Sequence, residues 1–333
     1  MELHVSVLGA GSWGTTVATL ACRNTPTRLW SRRPEIAQEI NEQHTNQRYL
    51  PGTSLPRTLV ATDSIEEAVR DADLIVMGVP SHGLRAVLGE VKKFLRPWVP
   101  IVSLSKGLER DSLLRMTQVI HDVIPDHISG ALTGPNLARE IISGLAAASV
   151  IAIEDERVAR QVQRVFHSGL FRVYTNHDVI GCELGGALKN VIAIATGMGD
   201  GLGVGDNTRS AVITRGLAEI TRLGVAMGGK APTFAGLAGM GDLIATCISP
   251  QSRNRYVGEQ LGRGRTIAEI TSEMHMVAEG VSTSKVVLEL AERYGVELPI
   301  ASEVHGVIHE GRTPQQAYRG LVRRMPGAEA DVG

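Results

Sequence analysis

The chain has 333 residues, more than the ~250 to 300 at which single cores stop growing, so a lone small module is excluded and two domains are expected. Hydrophobic residues make up 43% and charged residues 21%, which excludes a disordered or fibrous chain. Thirty-four Lys and Arg against 35 Asp and Glu give a net charge of −1, so no global basic field exists to hold nucleic acid or an anionic membrane, and any bound anion must be met by a local site.

Residues His4 to Leu8, with β-branched Val5 and Val7, predict a strand. Gly9-Ala10-Gly11-Ser12-Trp13-Gly14 then turns the chain into an apolar helix from Thr15 to Cys22. A strand at Thr27 to Trp30 and a helix from Pro34 to Gln43 follow, then a short strand at Leu59 to Ala61 and a helix over Ser64 to Arg70. The near-continuous apolar run Ala72 to Val79 reads as a strand buried on both faces. Strands at Pro100 to Leu104 and Ile128 to Leu132 flank a helix at Leu113 to Val123, and strands at Ala147 to Ile153 and Phe171 to Tyr174 flank another at Glu156 to Phe166. Such alternation specifies an α/β domain of the Rossmann type, with a doubly wound, mainly parallel sheet.

After Val179 the strand signals stop, and the period becomes ~3.6 residues. Helices are predicted over Gly181 to Met198, Asn207 to Met227, Asn254 to Leu261, Thr266 to Met274, Val281 to Tyr294, Pro299 to His309 and Pro314 to Val322, with a glycine-rich loop at Gly236 to Gly241. The change of period divides the chain into a dinucleotide-binding domain at 1–178 and an all-α substrate domain at 179–325, with a small, polar tail at 326–333 expected to fray. Three scattered cysteines, Cys22, Cys182 and Cys247, fit neither a disulfide framework nor a thiolate zinc site and suggest a reducing cytoplasm. The N-terminus carries no basic, signal-like region, and the apolar stretch Leu184 to Met198 is shorter than the ~20 residues that cross a bilayer, so no membrane insertion is expected.

Gly9, Gly11 and Gly14 form a G-x-G-x-x-G between a predicted strand and a predicted helix. There a pyrophosphate can approach bare backbone and meet N–H groups at the helix N-terminus. About 20 residues on, where an acidic residue would hold the ribose of NAD, the chain reads Ser31-Arg32-Arg33. Two cations there suit the 2′-phosphate of NADPH, although they also read as ordinary solvated charges. Lys189 has Gly185, Gly186, Ile192 and Ala193 three and four residues away on a helix. Burial on that small apolar face lowers a lysine's pKa, and small neighbours leave space for a ligand; the alternative is a side chain that snorkels out. Lys106 follows the C-terminal end of a strand, where open parallel sheets bind ligands. Asp242 enters a helix and is either a cap or a site carboxylate. Ser252-Arg253-Asn254-Arg255 suits a phosphate, or is a polar turn with Asn254 as N-cap. His305 and His309 are one helical turn apart without a suitable third ligand, so no metal is expected.

These residues, with Tyr49-Leu50-Pro51-Gly52, Val79-Pro80-Ser81, Ser105-Lys106-Gly107-Leu108, Gly134-Pro135-Asn136-Leu137-Ala138, Leu188-Lys189-Asn190, Gly239-Met240-Gly241-Asp242-Leu243 and Val277-Ala278-Glu279-Gly280, recur in order as in the bacterial NAD(P)-dependent sn-glycerol-3-phosphate dehydrogenases, which the chain resembles along nearly its whole length. The resemblance implies hydride transfer between NADPH (preferred) or NADH and dihydroxyacetone phosphate, forming sn-glycerol 3-phosphate for glycerophospholipid synthesis in a cytoplasmic homodimer. It implies that Ser12, Trp13, Arg32, Arg33, Lys106, Ala138, Arg253, Val277 and Glu279 contact the cofactor. Substrate would meet Lys106, Gly134, Asn136, Asp242, Ser252, Arg253 and Asn254, with Lys189 as general acid or base. Asn136 departs from the family, which often has a small hydroxyl residue there. The competing readings are a related β-hydroxyacid-type dehydrogenase, which does not predict the phosphate loop, and a dinucleotide sensor without catalysis, which has no reason to keep both lysines and Asp242.

Overall fold

The computed structural model describes residues 3–274 and 278–323. It divides into two compact units, one of Met1–Ser105 with Leu114–Val179 and the other of Lys106–Leu113 with Ile180–Gly333. The tail from Pro326 and the cofactor candidate Val277 lie outside the described residues.

The first unit runs β1 (Val5–Leu8), α1 (Ser12–Ala21), β2 (Thr27–Trp30), α2 (Pro34–Gln43), β3 (Val60–Thr62), α3 (Ile65–Val69), β4 (Leu74–Met77), α4 (Leu84–Val91), β5 (Ile101–Ser103), α5 (Met116–Val123), β6 (Ser129–Thr133), α6 (Ala138–Ile142), β7 (Ala147–Ile153), α7 (Glu156–Phe166) and β8 (Phe171–Asn176). Its eight strands form one sheet in the order β3-β2-β1-β4-β5-β6-β7-β8. Every neighbouring pair is parallel except β6 and β7, which are antiparallel. Val5, Val7, Leu74, Val76 and Val102 enter one hydrophobic cluster, while Leu8, Ile75, Met77 and Ile101 enter another. Alternate side chains therefore bury on opposite faces, which is why β4 reads as unbroken apolar sequence; each such side chain contributes roughly 1.5–3 kcal/mol.

Helix α1 starts at Ser12 rather than Thr15, because the second half of the glycine turn is already its first helical turn. Helix α4 is an addition to the elements expected from sequence, although Leu84, Leu88 and Val91 bury at helical spacing. Helix α6 has only five residues, too few to show a period.

The second unit contains α8 (Val179–Leu202), α9 (Asp206–Ala226), α10 (Ala231–Phe234), α11 (Asp242–Ile248), α12 (Arg253–Gly262), α13 (Ile267–Glu273), α14 (Glu279–Tyr294), α15 (Pro299–His309) and α16 (Pro314–Arg323). Helix α8 is longer than expected and apolar enough to cross a membrane by length and composition, but 94% of its most apolar window is buried within the protein. Leu184, Leu188, Val191, Ile192 and Ile194 put it at the centre of this unit's core. The segment Ala231–Ile248 also passes that test of length and composition, with less of its window buried.

Two sequence expectations are corrected. Gly236 to Gly241 is not a loop: Leu237–Gly241 forms a π-helical turn that runs into α11. Residues 106–113 group with the helical unit instead of the sheet, because Leu108 joins its core and the Lys106 carbonyl accepts a 2.9 Å hydrogen bond from Asn190 Nδ2.

Candidate active site

The sequence-selected residues fall into two sets, one on each unit. In the first unit, Gly9 leaves β1 with φ +126°, and a Cβ there would stand 2.6 Å from the Gly78 carbonyl oxygen. A Cβ on Gly14 would overlap the Gly9 carbonyl oxygen, so α1 packs backbone to backbone against the turn. Nothing lies within 4 Å of a Cβ position on Gly11, the residue before the first helical turn. The resulting cradle of bare backbone at a helix N-terminus fits a dinucleotide pyrophosphate.

Asn46, which no motif singled out, is fully buried and donates from Nδ2 to the Ala10 carbonyl (2.9 Å) and to Thr15 Oγ1 (3.0 Å). It holds the turn from a distant segment of the same unit. Ser12 Oγ donates to the Tyr49 carbonyl at 2.9 Å, which gives the Tyr-Leu-Pro-Gly segment a place beside the cradle. The Trp13 ring meets Phe171 edge-on at 6.4 Å, and its buried Nε1 has no acceptor among the described residues.

Arg32 and Arg33 are exposed after β2, with Arg33 in a 3.4 Å ion pair with Glu35. Gly134 and Asn136 follow β6, and Ala138 opens α6. The Ser149 hydroxyl donates to the Thr133 carbonyl at 2.7 Å, so it can only accept from Asn136 Nδ2 at 3.1 Å. That fixes the amide, with Oδ1 buried and without a donor among the described residues.

The second unit gathers Lys106, Lys189 and Asp242. The Lys189 ammonium, 5% exposed as a side chain, donates to Asp242 Oδ1 at 2.5 Å and to Thr246 Oγ1. The more open Lys106 donates to Asp242 Oδ2 at 2.8 Å. Both carboxylate oxygens are thereby committed, and two ammonium groups around one carboxylate leave a surplus positive charge. Burial, opposed by Asp242 and reinforced by Lys106, lowers the Lys189 pKa from 10.5 to about 8. A lysine poised there can exchange a proton near neutral pH.

Lys189 does not snorkel, and one of its small neighbours, Gly185, serves a different purpose from the one expected. A Cβ on Gly185 would stand 2.6 Å from the Ala238 carbonyl oxygen, so the space admits the π turn that delivers Asp242 rather than a ligand. Asp242 is not merely a cap. Thr246, which the sequence does not single out, joins the cluster from one helical turn beyond Asp242, with Oγ1 donating to the Asp242 carbonyl at 2.6 Å. Burial pushes the neighbouring Cys247 thiol up to about 11, so it stays protonated.

Ser252 is the N-cap of α12, accepting from Arg255 N–H at 3.2 Å, so Asn254 is not the cap and Arg253 and Asn254 lie in the first helical turn. Arg253 keeps an exposed surface, yet the protein around its guanidinium lowers its pKa, opposed by the charge of Glu279, which begins α14. Asn254 donates to Asn190 Oδ1 (2.9 Å) and accepts from Gly280 N–H (3.0 Å). Its side chain is a keystone between α8, α12 and α14; what it offers a ligand is its backbone N–H at the helix N-terminus. His305 and His309 pack ring to ring at 4.8 Å, and His309 Nε2 lies 3.0 Å from Ser284 Oγ. Among the described residues no three His, Cys, Asp or Glu side chains are placed to hold a metal.

Comparison with known proteins identifies the family. The family model described as NAD-dependent glycerol-3-phosphate dehydrogenase N-terminus matches residues 4–159, and its C-terminus counterpart matches 178–319. A glycerol-3-phosphate dehydrogenase (NAD(P)+) 2 of Sphingopyxis alaskensis is 59% identical over 333 residues, covering 100% of both chains. One from Streptomyces coelicolor is 49% identical, covering 98% of each. The crystal structure of glycerol-3-phosphate dehydrogenase from Coxiella burnetii superposes with a TM-score of 0.93 at 37% identity, over 97% of this chain and 99% of that one. With a glycine cradle, a buried lysine–aspartate centre and these relatives spanning its full length, the chain belongs to the NAD-dependent glycerol-3-phosphate dehydrogenase family.

Proposed function

We propose that this NAD(P)-dependent oxidoreductase interconverts dihydroxyacetone phosphate and sn-glycerol 3-phosphate, with NADPH preferred over NADH, and supplies the glycerol backbone of phospholipids. The observation that carries the reading is the buried Lys189, held by Asp242 and Thr246 with a pKa of about 8. When bound, the dinucleotide supplies the hydride in reduction and takes it back in oxidation. In reduction, Lys189 Nζ gives its proton to the substrate's carbonyl oxygen as the adjacent carbon gains the hydride; in oxidation, neutral Lys189 takes the hydroxyl proton. Lys106 adds positive charge where the oxygen becomes negative, and Asp242 keeps both ammonium groups in register.

The substrate phosphate is assigned to Ser252, Arg253 and the Asn254 backbone, where a guanidinium and a helix N-terminus both favour an anion. Gly9, Gly11, Ser12, Trp13 and Gly14 are assigned to the pyrophosphate end of the cofactor, and Arg32 and Arg33 to the 2′-phosphate. Lys106, Ala138, Arg253, Val277 and Glu279 are assigned to the cofactor, and Gly134 and Asn136 to the substrate, on family resemblance, as are a homodimer and a cytoplasmic location.

The test is loss of NADPH absorbance on adding dihydroxyacetone phosphate to purified protein. Unphosphorylated dihydroxyacetone should turn over far less well. Oxidation of a β-hydroxy acid in place of glycerol 3-phosphate, or cofactor binding with no turnover, would replace this reading.

A further inference from the structure

We propose that Asp200, which reaches the first turn of α12 through Arg255, is a positioning residue that sets the phosphate affinity of Arg253; the proposal rests on the reading of Arg253 as a phosphate ligand. Asp200 lies on α8 about three turns beyond Lys189. Its side chain is 7% exposed and sits between two guanidinium groups. Oδ1 accepts from Arg209 Nε (2.9 Å) and Nη2 (2.7 Å), and Oδ2 accepts from Arg255 Nε (2.8 Å). Arg255 stands two residues after Arg253, and its own N–H closes the cap on Ser252.

The rest of the α8–α12 contact makes this ion pair a setting for register rather than a general clamp. Cβ atoms on Gly197 and Gly201 of α8 would overlap the carbonyl oxygens of Arg255 and Glu259. Those on Gly258 and Gly262 of α12 would overlap the carbonyls of Ile194 and Met198. The two helices therefore touch backbone to backbone, with glycines on both sides. Near the active end the Asn190–Asn254 hydrogen bond links them, and the Asp200–Arg255 pair ties the same first turn of α12 further along α8. A bidentate guanidinium–phosphate contact tolerates little displacement, and misplacing a binding group by ~1 Å can cost on the order of 10²-fold. Lys189 is on α8 itself, so relaxing α12 moves the phosphate ligand and leaves the proton donor in place.

The experiment measures steady-state kinetics with dihydroxyacetone phosphate and NADPH for wild type, Asp200→Asn, Arg253→Ala and the double variant, with melting curves. Asp200→Asn should raise KM for dihydroxyacetone phosphate about tenfold with kcat within about threefold, and Asp200→Glu should recover part of the loss. In the Arg253→Ala background the same substitution should change kcat/KM less than about twofold, because its effect acts through Arg253. A folded Asp200→Asn variant with wild-type KM overturns the proposal, and so does an equal effect with and without Arg253. Should Asp200→Asn not fold, Arg255→Gln breaks the same pair from the more exposed side and is held to the same two criteria. Wild-type protein that leaves NADPH unconsumed overturns the functional reading as well; an active wild type with an unaffected variant overturns this proposal alone.

Discussion

Replacing Lys189 with Met removes the ammonium while keeping an unbranched side chain of similar length. Holding a buried lysine at about 8 instead of 10.5 costs roughly 3 kcal/mol at any pH where both folded and unfolded lysine are charged. The folded pKa is the lower one, so the unfolded chain binds more protons between pH 8 and 10.5. The cost is full below pH 8 and is relieved as pH rises through that window. Lys189→Met has no proton to lose, and Asp242 keeps Lys106 as its partner. The variant is therefore expected to melt no lower than wild type at pH 7 and to lack the alkaline gain in stability.

Activity should go the other way. Removing a positioned general acid costs roughly 10² to 10⁴ in rate, so kcat for dihydroxyacetone phosphate should fall by at least the lower figure. In wild type, reduction needs the protonated lysine and should decline above pH 8, whereas oxidation of glycerol 3-phosphate should rise to a plateau there. Steady-state kinetics over pH, an NADPH titration and melting curves at two pH values read all three. A folded, NADPH-binding Lys189→Met variant that keeps more than about a tenth of kcat would refute the proton-donor role. Lys106 would then be the leading candidate.

Asp242→Asn withdraws the carboxylate that opposes the burial of Lys189 and leaves the two lysines facing each other, so the alkaline limb of reduction should move to lower pH. A midpoint that stays in place means that Asp242 does not set it. Arg33→Asp puts a negative charge beside the end of β2, and kcat/KM should fall more for NADPH than for NADH; an unchanged ratio places the 2′-phosphate elsewhere. Gly14→Ala inserts a Cβ into the Gly9 carbonyl and should weaken NADPH binding at least about tenfold by forcing the cradle open, as a titration would read. Unchanged affinity would mean that α1 can retreat without disturbing the cofactor.

The short strand run at β1, the unbroken apolar run at β4, the helical period after Val179 and the G-x-G-x-x-G spacing are local patterns, and each fixes the chemistry of a few consecutive residues. They make the fold class, the cradle and both lysines legible in the amino-acid sequence alone. The centre itself is not local: Lys189 meets Asp242 across 53 positions and Lys106 meets it across 136. Neither pairing leaves a periodic trace. Thr246, Asn46 and Asp200 carry no motif because their meaning lies in what another segment places against them. The same holds for Gly185, whose missing side chain looks like room for a ligand until Ala238 fills it. Sequence determined which residues could bind an anion or move a proton. Tertiary packing decided which of them meet and, by taking Lys189 out of water between Asp242 and Lys106, at what pH it titrates.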